Sequence, residues 1–157
     1  MKTQQGALSA ELSLQLAVST LLLIVLVVPL RKAASNYLAA LDVKDTVSTM
    51  TFEANLHYAK QVLNTRCLAQ SQITLSDIGI TNQGAVQYGV AYRQTPNIHA
   101  APSGIDITVT IKETKLLGMA TWLSFDEQKG NQFIYHTPLH YTLPDFQQIK
   151  QRTGCIH

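Results

Sequence analysis

A chain of 157 residues with net charge +2 and 14% charged side chains has room for one small soluble head beside anything it places in a membrane. The near-neutral balance, with Lys112, Lys115, Lys129, Lys150 and Arg152 scattered, gives no clear nucleic-acid site. No phosphate-binding glycine loop, nucleophile elbow or H-E-x-x-H motif occurs, so no catalytic residue and no cofactor is assigned and an enzyme is not expected.

The chain opens on Met1-Lys2-Thr3-Gln4-Gln5-Gly6, continues through Ala7-Leu8-Ser9-Ala10 to Glu11, and then runs apolar from Leu12 to Leu30. That run of about 19 residues makes roughly 28 Å of helix, close to the ~30 Å hydrocarbon core of a bilayer. Only Ser13, Gln15, Ser19 and Thr20 interrupt it, and hydroxyls can bond back to the helix's own carbonyls. Arg31-Lys32 ends it. Glu11 is costly at its edge, since an acid at the centre of a span costs about 2.5–3.5 kcal/mol on insertion scales. Pro29 cannot donate to the Val25 carbonyl, so the helix should bend or loosen there.

A cleavable secretory signal with its apolar core at Leu21–Leu30 is one alternative, but Arg31-Lys32 stands where a small-residue cleavage site belongs. A plain single-pass anchor is another. The basic residues lie mostly after the span, which by the positive-inside rule favours a cytoplasmic head.

Leu38, Leu41, Val47, Met50, Ala54, Tyr58 and Val62 recur at three, four or six residues, a broken apolar stripe that predicts one helix from about Ala7 to about Arg66. A helix of roughly 90 Å needs packing to stay ordered, and its second half should lie on a sheet. From about Ile73 the pattern turns to period two. Ile105–Ile111 is the cleanest predicted strand, with four apolar side chains on one face. Val86–Arg93, Gln132–His136 and Leu139–Leu143 are further candidates, the last two split at Pro138. Residues 97–104 form a loop, 114–126 stay ambiguous with a short helix possible through Leu116, Leu117, Ala120 and Leu123, and Gln128-Lys129-Gly130-Asn131 reads as a turn. The expected fold is α+β, a long N-terminal hydrophobic helix packed on a small antiparallel sheet.

Cys67 falls at the expected helix end and Cys155 almost at the C-terminus. They can be a disulfide in an oxidising compartment or two free thiols, and they do not make a zinc pattern. His136 and His140 would share one face of an extended segment, with no carboxylate evident beside them, so no metal site is assigned.

The first 30 residues, with a short basic leader ending in Gly6, Glu11 at the fifth position after it and the long apolar helix, resemble the type IV pilin family, including the pseudopilins of type II secretion. The resemblance implies a leader of residues 1–6, an assembly helix over 7–66 and a β-rich head over 67–157. It implies cleavage between Gly6 and Ala7 by a prepilin peptidase with N-methylation of Ala7, and a pairing of Glu11 with the Ala7 amine that sets the register of assembly. Ala7 stands where the family usually has a large apolar residue, which points to a minor or divergent member. Pro29 and a Cys67–Cys155 disulfide would favour a pilus over a secretion pseudopilus. The implied partners are other pilin subunits, the peptidase, the inner-membrane assembly platform and, before assembly, membrane lipid. The implied location is the bacterial inner membrane with a periplasmic head, then the extracellular filament. A membrane-tethered periplasmic binding or scaffold domain that never polymerises is the alternative from another class.

Overall fold

The computed structural model describes residues 4–82, 84–140, 149–150 and 152–156, with side chains from Glu11 onward. One helix, α1, runs from Gln4 to Thr65 and continues through Pro29. It starts three residues before the expected Ala7, so the backbone of Gln4–Gly6, the end of the expected leader, is helical too. It ends where Arg66 takes the left-handed region at φ 60° while its N–H still bonds the Val62 carbonyl at 2.8 Å. That is the usual way a helix closes, though glycine is the commoner residue there.

The head carries four strands in an antiparallel sheet, β1 (Val86–Arg93), β2 (Gly104–Ile111), β3 (Glu127–Lys129) and β4 (Gln132–Thr137), in the order β1-β2-β4-β3. A short hairpin of β5 (Ile149–Lys150) and β6 (Cys155–Ile156) closes the chain. Two 3-10 segments, η1 (Ser76–Ile78) and η2 (Thr114–Trp122), complete it. This is the α+β arrangement expected, a long apolar helix with a small antiparallel sheet.

The alternation in β2 decides which face of the sheet is dry. Ile105, Ile107, Val109 and Ile111 are all within 1% of full burial and point to α1, joined by Phe133 and Tyr135 of β4 and Tyr92 of β1. From α1 the core receives Ala40, Val43, Val47, Met50, Ala54, Tyr58 and Val62, at strict intervals of three and four. Tyr58 meets Tyr92 edge-on with centroids 5.7 Å apart. The predicted stripe is therefore right from Val47 onward and out of phase before it. Leu38 and Leu41 are exposed, and Asn36, Ala40 and Val43 take their place. The reason is helical phase: Leu41 stands six residues before Val47, roughly 240° round the helix, so it and Leu38 face away from the buried row that Val43, Ala40 and Asn36 continue under η2. Gly118 of η2 lies directly against the Asn36 side chain, where any Cβ would collide.

The short helix possible within residues 114–126 is present as a 3-10 helix over Thr114–Trp122 that buries Met119, while the turn reading is corrected. Gln128 and Lys129 belong to β3, and the turn is only Gly130-Asn131, between the paired Lys129 and Gln132. Gly130 at φ 64° supplies the conformation that this two-residue connection needs. Of the candidate strand Leu139–Leu143, residues 139 and 140 belong to no strand and 141–143 lie outside the described residues.

Candidate assembly helix and head surface

Every side chain from Glu11 to Ser35 is exposed, and the stretch is long and apolar enough to cross a membrane by length and composition. Two of its hydroxyls bond back to the helix: Ser19 and Thr20 donate to the Leu16 carbonyl at 3.0 and 2.9 Å. Each large apolar side chain forfeits about 1.5–3 kcal/mol by staying in water, so this surface demands lipid or protein around it. Glu11 sits bare at its N-terminal edge, and among the described residues it makes no ion pair. The Gly6–Ala7 bond lies on the helical backbone. The side chains around it, and Met1–Thr3 of the expected leader, lie outside the described residues.

A second exposed stripe continues past the span. Leu38, Leu41, Phe52, Leu56 and Leu63, spaced by three, four, seven or eleven residues, share the face of α1 turned from the sheet. Beside Phe52 and Leu56 an open groove of about 600 Å³ is lined also by Ser48, Thr51, Asn55, Ala59 and His140. The His140 N–H donates to Asn55 Oδ1 at 2.8 Å and holds the groove's far wall to the helix.

Cys67 and Cys155 are joined by a disulfide and also form a lone antiparallel bridge. Leu68 N–H donates to the Gly154 carbonyl at 2.9 Å, and Ile156 N–H to the Arg66 carbonyl at 2.6 Å. The C-terminal hairpin is thus fastened to the end of α1.

On the outer face of the sheet a polar row crosses all four strands. Arg93 Nε lies 2.9 Å from Asp106 Oδ1, His136 Nδ1 lies 2.8 Å from the same oxygen, and Glu127 Oε2 is 3.9 Å from His136 Nε2. Asp126 Oδ2 accepts the His136 backbone N–H. A carboxylate does therefore stand beside His136, contrary to the expectation, because β2 and β4 pair in a register that sets Asp106 opposite it. His140 turns instead to α1. Among the described residues no group of three or more His, Cys, Asp or Glu is arranged to hold a metal.

Burial shifts two phenols in the core. Tyr135 is pushed up to about 12 by loss of water, and Tyr92 is raised by the same cause. Outside the core, hydrogen bonds from Thr74 hold Asp77 below its ordinary value.

Comparison with family models, with curated proteins and with solved structures finds no match. The groove, the second stripe and the polar row escaped sequence reasoning. The stripe alone had a signal, since Phe52, Leu56 and Leu63 are too large and too regularly spaced to be a solvated face by chance.

Proposed function

We propose that this chain is a type IV pilin-like subunit, held in a membrane by the first half of α1 and built into a filament by burial of that helix against other subunits. The observation that carries the reading is the second apolar stripe. Phe52 and Leu63 lie about 33 and 50 Å along the helix beyond Leu30, at 1.5 Å per residue. Lipid around a span ending at Leu30 does not reach them, and a plain anchor has no use for them. A neighbouring apolar helix covers both stripes at once.

In that setting Glu11 acquires a purpose. A carboxylate buried among helices is strongly destabilising when alone and tolerable when paired, and the new amine of Ala7 on the same or an adjacent subunit is the partner the resemblance supplies. The polymer forms by helix burial, and the pair selects the register. Pro29 and the fastened C-terminal hairpin favour a pilus over a secretion pseudopilus, with a non-polymerising tethered domain as the reading to be excluded.

Intact mass and N-terminal analysis of the membrane-bound protein, with and without a prepilin peptidase, tests this directly. A mature chain beginning at methylated Ala7, lost without the peptidase, supports the proposal. A chain that keeps Met1, or is cut just past Arg31-Lys32 as a secretory signal would be, sinks it.

A further inference from the structure

The end of the head nearest the apolar first half of α1 carries an exposed aromatic pair. On α1 no described residue before Asn36 is buried, so the head begins there, under η2. Among the exposed side chains at this end are aromatic and aliphatic ones. Tyr37 and Trp122 meet edge-on at 5.4 Å, each remaining about half exposed, and Leu117, next to the Gly118 that lies against Asn36, is exposed on η2 as well. Trp122 is the only tryptophan of the chain. Tyrosine and tryptophan are favoured where one end of a ring system is apolar and the other wet, which is the headgroup layer.

The distances agree. Tyr37 follows Leu30 by seven residues, about 10 Å of helix, and helical side chains lean toward the N-terminus, here toward the bilayer. The headgroup layer extends about 5–8 Å on each side of the hydrocarbon. A modest tilt of α1 brings the Tyr37–Trp122 pair and Leu117 into it.

Charge complements the geometry. Arg31 and Lys32 stand between the span and the aromatic pair, and neither α1 from Leu12 to Leu41 nor η2 contains an acidic residue. Lys115 is paired with Glu113 at 2.6 Å, and the next carboxylates, Asp42 and Asp45, lie further from the bilayer. Basic side chains beside a span draw anionic headgroups.

We infer that Tyr37, Leu117 and Trp122, with Arg31 and Lys32, dock the base of the head onto an anionic lipid surface while the chain is still in the membrane. This rests on the membrane stage of the proposed function. It adds a role for the head in that stage: the contact fixes how the head stands over the bilayer before assembly.

The test uses the full chain in vesicles of mixed phosphatidylcholine and phosphatidylglycerol, with bromine placed near the headgroup or deep in the acyl chain. The Trp122 emission should be quenched by the shallow label and much less by the deep one. Leu117→Glu, and separately the double variant Arg31→Gln/Lys32→Gln, should lose most of that quenching while still floating with the vesicles. A chain that floats but whose tryptophan ignores both labels overturns the docking surface and leaves the anchor standing, whether the ring is then open to water or shielded by a second copy. A chain that does not float with vesicles at all removes the membrane stage, and the docking surface with it.

Discussion

The Tyr58 hydroxyl donates a 2.7 Å hydrogen bond to the carbonyl of Leu68, the residue after Cys67. A tyrosine buried in the middle of the helix–sheet core thereby holds the first residues that leave the helix, on the same short stretch that receives the C-terminal hairpin. Tyr135, also buried and on the opposite side of the core, has no hydrogen-bond partner for its hydroxyl among the described residues.

The two phenols should therefore answer oppositely to loss of the hydroxyl. Tyr58→Phe is expected to cost about 1–3 kcal/mol, because it leaves a carbonyl without its donor. Tyr135→Phe should be neutral or stabilising, since it removes a polar atom that burial leaves unsatisfied. Urea unfolding of both variants decides the matter, and a Tyr135→Phe chain weaker than Tyr58→Phe would contradict it.

Alkaline pH should find the same group. The Tyr135 phenol ionises at its ordinary value near 10.0 when unfolded and only near 12 when folded. The folded state thus holds the proton more tightly, so its contribution is intact below pH 10.0 and is lost as pH rises toward 12. Unfolding midpoints measured across that window should fall with pH, and less steeply in Tyr135→Phe. Tyr92, raised in the same direction, adds to the slope that remains.

Cys155→Ser opens a link between residues 88 apart. Chain entropy alone assigns such a closure about 4–5 kcal/mol, and losses of about 2–5 kcal/mol are typical for small domains. The head should become protease-sensitive and its melting temperature should drop, as it should for the parent chain under a reductant. An unchanged midpoint would show that the hairpin is held by its backbone bonds instead.

Gly118→Ala places a methyl group in the Asn36 side chain and should loosen η2 from α1. Removing the obstacle, in Asn36→Ala/Gly118→Ala, should recover much of the loss, a coupling readable as a double-mutant cycle. Gly154→Ala has no such rescue, because its Cβ meets the His99 backbone and its φ of 67° already disfavours a side chain.

Glu11→Val should insert more readily, since it removes a charge that costs about 2.5–3.5 kcal/mol at the centre of a span and less near its edge. Leader cleavage should persist while incorporation into filaments fails. Filaments containing the variant at normal abundance would remove the register role from Glu11.

What could be read from the residues was the part governed by local periodicity. The alternation of Ile105, Ile107, Val109 and Ile111 identified both a strand and its dry face, and the stripe from Val47 to Val62 identified the face of α1 that meets it. Hydrophobicity alone does not give phase, so Leu38 and Leu41 look as suitable for burial as Ala40 and Val43, although Leu41 stands six residues before Val47 and is turned to the far side of α1. Nor does it give register. Asp106 and His136 are thirty residues apart in the chain, and only the pairing of β2 with β4 sets them side by side. The outer polar row of Arg93, Asp106, His136 and Glu127 is for that reason a property of the sheet and not of any one segment. Its ion pairs are partly solvated, and Asp106→Ala should cost no more than about 1 kcal/mol.

The bond between Cys67 and Cys155 also changes where a pulling force would run. Tension applied between the start of α1 and the chain beyond Cys155 passes along the helix to Cys67 and crosses the sulfurs to Cys155. The sheet, η1 and η2 hang beside that path as an unloaded loop. The head can keep its folded surface while the helix beneath it bears the load, and with the disulfide reduced the same tension would instead peel the head open from its hairpin inward.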